Sequence, residues 1–291
     1  PNKALVYANQ LEVDEIDGRR ITVNQRINGQ FSRSRLFDGE CPPGSQPMWR
    51  KEVHNVFGYF DESFSVGGDY EFWFRLTQIF DFLYLNEILG ERYVGQETVS
   101  KSNTNLTCSL ESMVIHKSYK YAMQEANTIS LTGISEHPIF SKWPEVNILK
   151  QITKANLEGK QMSLVDNIKD IWDQRTNTSP KLTFVVVTYN RKNELMENLY
   201  ALNEQNEKDF EVIVMNNGSD LSWLKQQKNK FNFSLCVIEL EYNFGPSPAR
   251  NIGAKFSKAE YIAFLDDDAV ADKNVVSNIV EHFKNYNISG L

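Results

Sequence analysis

Two stretches of this 291-residue chain carry side chains whose type and spacing could do chemistry. The first is Asp266-Asp267-Asp268, which closes the apolar run Tyr261-Ile262-Ala263-Phe264-Leu265. Five residues with no polar break and strong aromatic or β-forming character suit a short strand covered on both faces. Side chains alternate along an extended chain, so Asp266 and Asp268 are expected on one face and Asp267 on the other. Two carboxylates just outside the carboxyl edge of a sheet can share a hard divalent cation that also takes phosphate oxygens. A solvated acidic turn is the competing explanation, because Asp is common in turns. The second stretch is Gly67-Gly68-Asp69-Tyr70-Glu71-Phe72-Trp73-Phe74-Arg75-Leu76. Tyr70, Trp73, Phe74 and Leu76 recur near helical spacing, which predicts a helix starting at Asp69. An Asp there either caps the helix or stands as a general base at the lip of a cleft, and spacing alone leaves both open.

The elements that must position the three aspartates begin at Lys181. Leu182 to Thr188 is a β-branched run ending in Tyr189 and Asn190, and Leu195, Leu199 and Leu202 then follow at helical spacing. Phe210 to Met215 is a second strand, ending at Asn216-Asn217-Gly218-Ser219. A third lies around Ser234 to Ile238, before Asn243-Phe244-Gly245-Pro246. In Pro248 to Ala254, Ala249 and Gly253 are four apart and would let a helix lie close to a sheet. Strands alternating with helices, each strand ending in polar residues, indicate an α/β fold with an open parallel sheet and a ligand along its carboxyl edge.

Residues 1–105 form a different block. Ala4 to Ala8 reads as a buried strand, and Asp17-Gly18 predicts a turn into Ile21-Thr22-Val23. Cys41-Pro42-Pro43-Gly44 is a loop. Trp49 and Phe60 are expected in the core. Residues 106–180 read as a helical connector, with apolar stripes at Leu110, Met113, Val114 and Tyr121, then Val146, Leu149 and Ile152, then Leu164, Ile168, Ile171 and Trp172. Arg175 to Pro180 is polar and ends in proline, the best candidate for a boundary before residues 181–291.

Val187-Thr188-Tyr189-Asn190-Arg191, Asn216-Asn217-Gly218-Ser219, Asn243-Phe244-Gly245, Ala249-Arg250-Asn251-Ile252-Gly253 and Asp266-Asp267-Asp268, in that order, resemble the donor half of a family 2 glycosyltransferase. Several short motifs in order are far more specific than one. The resemblance implies a GT-A, Rossmann-like nucleotide-sugar-binding sheet. It assigns Thr188, Tyr189, Asn190, Asn216, Arg250, Asp266 and Asp267 to the nucleotide sugar, with Thr188 and Tyr189 against the base and Asp266 at the ribose. Asp268, with Asp266, would hold Mn²⁺ or Mg²⁺ on the diphosphate. The family commonly has Asp where Asn216 stands; an amide oxygen can accept the same hydrogen bond, so a UDP-sugar stays the favoured donor.

Met48-Trp49-Arg50, Gly58 to Glu62, Gly68 to Arg75 and Glu91 to Ser100 resemble the acceptor half of the same family. Asp69 would then be the base that deprotonates an acceptor hydroxyl in a single inverting displacement. The acceptor half, residues 1–105, precedes the donor half, residues 181–291, the reverse of their order in one such domain. The chain therefore resembles a window of a tandem two-domain glycosyltransferase, as found in polysaccharide synthesis, in which Asp69 and Asp268 would serve different sites and this window alone could be inactive. The other arrangement is a permuted domain whose halves complete each other, in the chain or by self-association, with both carboxylates on one cleft. A catalytically silent module binding a nucleotide sugar or glycan is the alternative from another class.

Composition narrows the remaining classes. With 31 basic and 38 acidic residues the net charge is -7, against the basic excess expected of a nucleic-acid binder. No glycine-rich phosphate loop of a dehydrogenase or P-loop enzyme is present. Cys41, Cys108 and Cys236 are too few and too scattered for a disulfide framework or zinc site. The four histidines are dispersed and receive no role. No apolar run is long enough to cross a bilayer and no signal-peptide pattern is seen, so the expected setting is cytoplasmic, at most peripheral at the inner face of a membrane.

Overall fold

The computed structural model describes residues 3–16, 19–44, 47–94, 105–124, 133–137, 140, 143–144, 146–147, 168–227 and 230–285. In chain order the elements are β1 (Lys3–Ile16), β2 (Arg19–Arg26), α1 (Arg33–Phe37), β3 (Met48–Arg50), α2 (Val53–Phe57), α3 (Gly68–Thr77), β4 (Asp81–Tyr93) and α4 (Asn105–Gln124). There follow β5 (Ile168–Asp173), β6 (Leu182–Thr188), α5 (Lys192–Asn203), β7 (Phe210–Asn216), α6 (Ser222–Lys225), β8 (Ser234–Leu240), α7 (Pro246–Phe256), β9 (Tyr261–Asp266), β10 (Ala269–Ala271) and α8 (Val275–Asn285).

The strands make one mixed sheet in the order β10-β4-β1-β3-β9-β6-β7-β8-β5, with β2 paired to β1. At its centre β9, β6, β7 and β8 are parallel, the Rossmann-like portion expected after Lys181. Apolar side chains alternate between two cores on opposite faces: Val185, Ile213, Ile262 and Phe264 on one, Phe184, Val212, Ala263 and Leu265 on the other. Helix α7 covers the first face through Ala249, Ile252 and Ala254, and α5 and α8 cover the second through Leu195, Leu199, Val276 and Ile279. A Cβ on Gly253 would stand 2.5 Å from Val185 Cγ1, so glycine there permits the close helix-to-sheet approach that the Ala249/Gly253 spacing suggested.

The first block joins this sheet rather than standing apart. Strand β3 lies between β1 and β9, antiparallel to both, pairing Met48 with Ala263 and Trp49 with Ile262. Strand β10 pairs with the end of β4. The Trp49 indole is wholly buried, with ring centroids 4.9 Å from Phe264, 5.3 Å from Trp73 and 5.7 Å from Phe72. The pair with Trp73 meets edge-on and the other two are tilted, and aromatics at such distances contribute both buried area and geometric preference.

The connector is helical in part. Helix α4 spans the first expected stripe, burying Val114, Ile115, Tyr119 and Ala122, whereas Met113, expected on that face, is exposed. Val146 is buried; Leu149, Ile152 and Leu164 lie outside the described residues. The helical reading of Ile168 to Trp172 is corrected: these residues are β5, an antiparallel edge strand on β8 that pairs Ile171 with Ile238 and Trp172 with Val237. The apolar spacing of such a short stretch suits either period, and the unpaired edge of β8 decides it by offering hydrogen bonds. Between β5 and β6, Arg175 donates from Nη1 to the Phe256 carbonyl at 2.8 Å and reaches Glu211 at 3.3 Å, which ties the proposed boundary segment to the sheet.

Candidate functional site

The parallel register brings the polar ends of three strands to one level. Thr188 of β6 pairs with Asn216 of β7, and Val187 pairs with Asp266 of β9. Strand hydrogen bonding stops there, so the next residues of each strand turn out of the sheet and form its lip. Asn190 adopts φ 56°, a left-handed turn that Asn tolerates better than most residues. Thr188 is buried and its hydroxyl meets the Asp267 carboxylate, while Tyr189 is exposed at the rim.

Strand β9 ends at Asp266 and Asp267-Asp268 form a turn, so the alternation expected to part Asp267 from Asp268 ends with the strand. Both accept from one guanidinium instead: Arg191 Nη1 lies 3.2 Å from Asp267 Oδ1 and 2.7 Å from Asp268 Oδ2. Asn198, buried on α5, straps the same turn by donating to the carbonyls of Asp266 at 3.0 Å and Ala269 at 2.7 Å. Burial pushes the Asp267 carboxyl up to about 7 against the opposing pull of Arg191 and the Thr188 hydroxyl. Asp268 is also raised, by burial and then by the charge of Asp266, which Arg191 offsets.

The loops after β7 and β8 are braced on each other. Asn216 Oδ1 accepts from the Ser219 amide at 2.9 Å and its hydroxyl at 2.6 Å, and Asn216 Nδ2 donates to the Ser219 carbonyl at 2.6 Å. The amide expected to read a nucleobase is thus committed to its own turn. Asn217 Nδ2 donates to Asn243 Oδ1 at 2.9 Å and to the Gly245 carbonyl at 3.0 Å, and its Oδ1 accepts from the Phe244 amide at 2.9 Å. Gly218, at φ 90°, sits where a Cβ would strike the Tyr242 backbone.

Helix α7 begins beyond Gly245 with prolines at its start and carries Arg250, whose Nη2 donates to Asp266 Oδ1 at 3.0 Å. Here the first block arrives. Asp69 lies in the first turn of α3, whose N-cap is Gly67, so it is not the N-cap residue; its Oδ1 accepts from the Tyr70 amide at 2.7 Å. Its pKa is raised by burial first, lowered by the charge of Arg250 and by the Tyr70 amide, and raised by the charge of Asp266. The join is tight. A Cβ on Gly68 would collide with Ser247 Oγ at the start of α7. Asn251 of α7 accepts from the Phe60 amide at 2.9 Å and donates to the Phe60 carbonyl at 3.0 Å and Glu62 Oε1 at 2.8 Å.

Among the described residues no group of three or more His, Cys, Asp or Glu side chains gathers as a metal cage. Asp266 and Asp268 remain as two mutually repelling carboxylates, a donor set that suits a hard divalent cation whose other oxygens come from a bound phosphate. A concavity of about 520 Å³ lined by Thr176, Asn177, Lys208, Phe231 and Phe233 lies at the amino ends of β7 and β8, away from this chemistry.

Residues 183–290 match the model of glycosyl transferase family 2. That segment is similar to this family over a little more than a third of the chain. An uncharacterized glycosyltransferase of Rickettsia conorii is 27% identical over 237 residues, covering 79% of this chain and 36% of that protein. An uncharacterized glycosyltransferase of Haemophilus influenzae is 38% identical over 87 residues, 30% of this chain and 29% of that one. The structure of S. aureus TarS 1-349 in complex with UDP-GlcNAc shares 29% identity, covers 37% of this chain and 32% of that chain, and superposes with a TM-score of 0.34. The chain spans about a third of the length of the curated relatives it matches. The family segment contains every donor-side residue singled out above, from Thr188 to Asp268. Sequence reasoning gave no role to Arg191, Asn198 or Asn251. Arg191 and Asn251 stand inside quoted motifs, and Asn198 is a polar residue between the leucines of α5, so each left a signal.

Proposed function

We propose that the cleft between α3, α7 and the carboxyl ends of β6, β7 and β9 is the active site of an inverting glycosyltransferase. Its donor is a nucleoside diphosphate sugar, with uridine favoured, and its acceptor a hydroxyl of a glycan in polysaccharide or cell-surface synthesis. The observation that carries this reading is the packing of the start of α3 on α7, Gly68 against Ser247 and Asn251 bonded to Phe60 and Glu62, because a base and a donor-binding edge serve one reaction only if they share a cleft. On this reading the halves complete each other within one chain.

The nucleotide lies along Thr188, Tyr189 and Asn190, with Asn216 shaping the turn beside it through Ser219 and with Asp266 and Asp267 holding the lip. Asp266 and Asp268 would hold Mn²⁺ or Mg²⁺, which when bound neutralises charge growing on the departing diphosphate. Arg250 and the N-terminal end of the α7 dipole add positive potential on the same side. Asp69 takes the proton of the acceptor hydroxyl while the oxygen attacks the anomeric carbon from the face opposite the diphosphate. The bond to the diphosphate breaks as the new C–O bond forms, and the configuration inverts. Burial raises the basicity of Asp69 and so favours that proton transfer. Three free thiols fit a reducing compartment, and among the described residues no helix is long and apolar enough to cross a membrane.

Calorimetry with UDP, with and without Mn²⁺, beside a transfer assay over a panel of nucleotide sugars tests the reading. Asp268→Ala should remove the metal-dependent part of UDP binding. Asp69→Asn should leave UDP binding intact and lower transfer about 10²- to 10⁴-fold, the range for a general base. Transfer at the unmodified rate by Asp69→Asn would exclude the base role. Metal-dependent UDP binding with no transfer to any acceptor would favour the silent binding module.

A further inference from the structure

Helix α4 entered the sequence reading as packing only, yet it places one carboxylate at the approach to Asp69. Glu111 is buried, with 1% of its surface exposed. Its Oε1 accepts from the Ser65 amide and hydroxyl, both at 2.7 Å, and its Oε2 from the amides of Val66 at 2.9 Å and Gly67 at 2.6 Å. These are the residues that lead into α3. Gly67, the N-cap, has no side chain to close the helix, and the Ser65 hydroxyl is spent on Glu111. A carboxylate from another helix therefore supplies the acceptors and the negative charge that a helix start calls for.

The fit leaves little slack. A Cβ on Gly67 would stand 3.3 Å from Glu111 Oε2 and 3.2 Å from Ile115 Cδ1, and one on Gly68 would collide with Ser247. The two glycines before Asp69 are thus pressed between α4 on one side and α7 on the other. The carboxylate that touches the acceptor would stand on a backbone held from both sides. A displacement of about 1 Å at a reacting group costs up to about 100-fold in rate.

We infer that Glu111 is a positioning residue, which fixes the Ser65–Gly67 approach and thereby holds Asp69, next to the Gly68–Ser247 contact with α7, in the geometry for proton abstraction. This rests on the glycosyltransferase reading above for its catalytic consequence, but its structural part stands without it. Glu111→Gln keeps the size of the side chain and puts an NH₂ opposite either the Ser65 amide and hydroxyl or the Val66 and Gly67 amides, so the approach loosens and water reaches Asp69.

Four measurements on the Glu111→Gln chain test the inference. Turnover should fall about 10- to 100-fold, while UDP affinity stays within about twofold, since the donor edge is untouched. The acid limb of the rate profile should move to lower pH, because hydration relieves the burial that raises the Asp69 carboxyl. The ¹³C titration of the Asp69 carboxyl should shift in the same direction, and this reads the geometry with no turnover needed. A folded Glu111→Gln chain with unchanged turnover and an unchanged Asp69 titration overturns the inference. If the unmodified chain transfers no sugar while the Asp69 titration still shifts on substitution, positioning stands and the glycosyltransferase reading falls. Should Glu111→Gln fail to fold, Ser65→Ala removes one of the four bonds; a smaller shift of the Asp69 titration in the same direction is expected, and no shift overturns the inference.

Discussion

The donor-side edge and the acceptor-side block of this cleft are built in opposite ways. The donor edge is closed by its own loops: Asn216 holds Ser219, Asn217 holds Asn243 and Gly245, and Arg191 holds Asp267 and Asp268, all within residues 188–268. The acceptor block is held from outside. Asn251 grips Phe60, Glu111 grips Ser65 to Gly67, and Phe264 closes the ring cluster around Trp49. Within the block, Arg75 donates to the Tyr59 carbonyl at 2.9 Å and makes a fully buried pair with Glu71 at 2.6 Å, yet even that network leans on the Tyr119 hydroxyl of α4, 3.0 Å from Glu71 Oε1. A self-braced edge can present a ligand site by itself, while Asp69, mounted on a borrowed frame, is in place only when the whole sheet has formed.

The largest effect on this contrast is expected from Trp49→Ala. It opens a cavity at the seam between β3 and β9 and should cost about 3–5 kcal/mol in urea unfolding, the range for a buried aromatic truncated to alanine. A cost below about 1 kcal/mol would show that the ring is not what holds the halves together. Next comes Asn251→Ala, which strands the buried Phe60 amide and carbonyl and should cost about 1–3 kcal/mol. Set beside Asn217→Ala it sharpens the comparison: Asn251→Ala should lower transfer and spare UDP affinity, and Asn217→Ala should weaken UDP binding. Equal losses of both properties in both variants would erase the distinction between the two sides.

The gentlest probe is pH. The Trp49 indole N–H donates to His54 Nε2 at 3.1 Å, so the proton of the neutral ring sits on Nδ1, which donates to the Gly58 carbonyl at 2.9 Å. Burial lowers the pKa of this ring from 6.5 to about 4, so between those values the unfolded chain binds the proton that the folded chain refuses. Stability from this group is complete above 6.5 and is lost as pH falls toward 4. Urea midpoints at pH 7, 5.5 and 4.5 should fall in that order, and His54→Gln should flatten the slope in this window; an unchanged slope would place the pH dependence elsewhere.

Legibility in the sequence followed the same division. The donor strands and their polar ends could be read because each strand announces itself by a run of β-branched residues and each turn by Asn, Gly or Pro. Asp69 could be found, but spacing alone did not show that Gly67, and not Asp69, is the N-cap of its helix. Strand alternation carried through Asp268 runs two residues too far, because where a strand ends is set by its partner, and β6 pairs with β9 only as far as Asp266. His54 left no signal of its structural role, for its two partners, an indole and a carbonyl, are brought to it by folding.

The sequence by itself determined the α/β class, the alternation of strands with helices after Lys181, the family resemblance that residues 183–290 bear out, and the order in which the two halves occur. Those properties are written in periods of two and 3.6 residues and in short motifs, all local in the chain. Only the tertiary structure decided that β3 lies between β1 and β9, that Ile168 to Trp172 is a strand, and that Glu111 and Asn251 hold the approach to Asp69. Each of those depends on an edge, an amide or a ring offered by a distant segment, and such complementarity leaves no periodic trace along the chain.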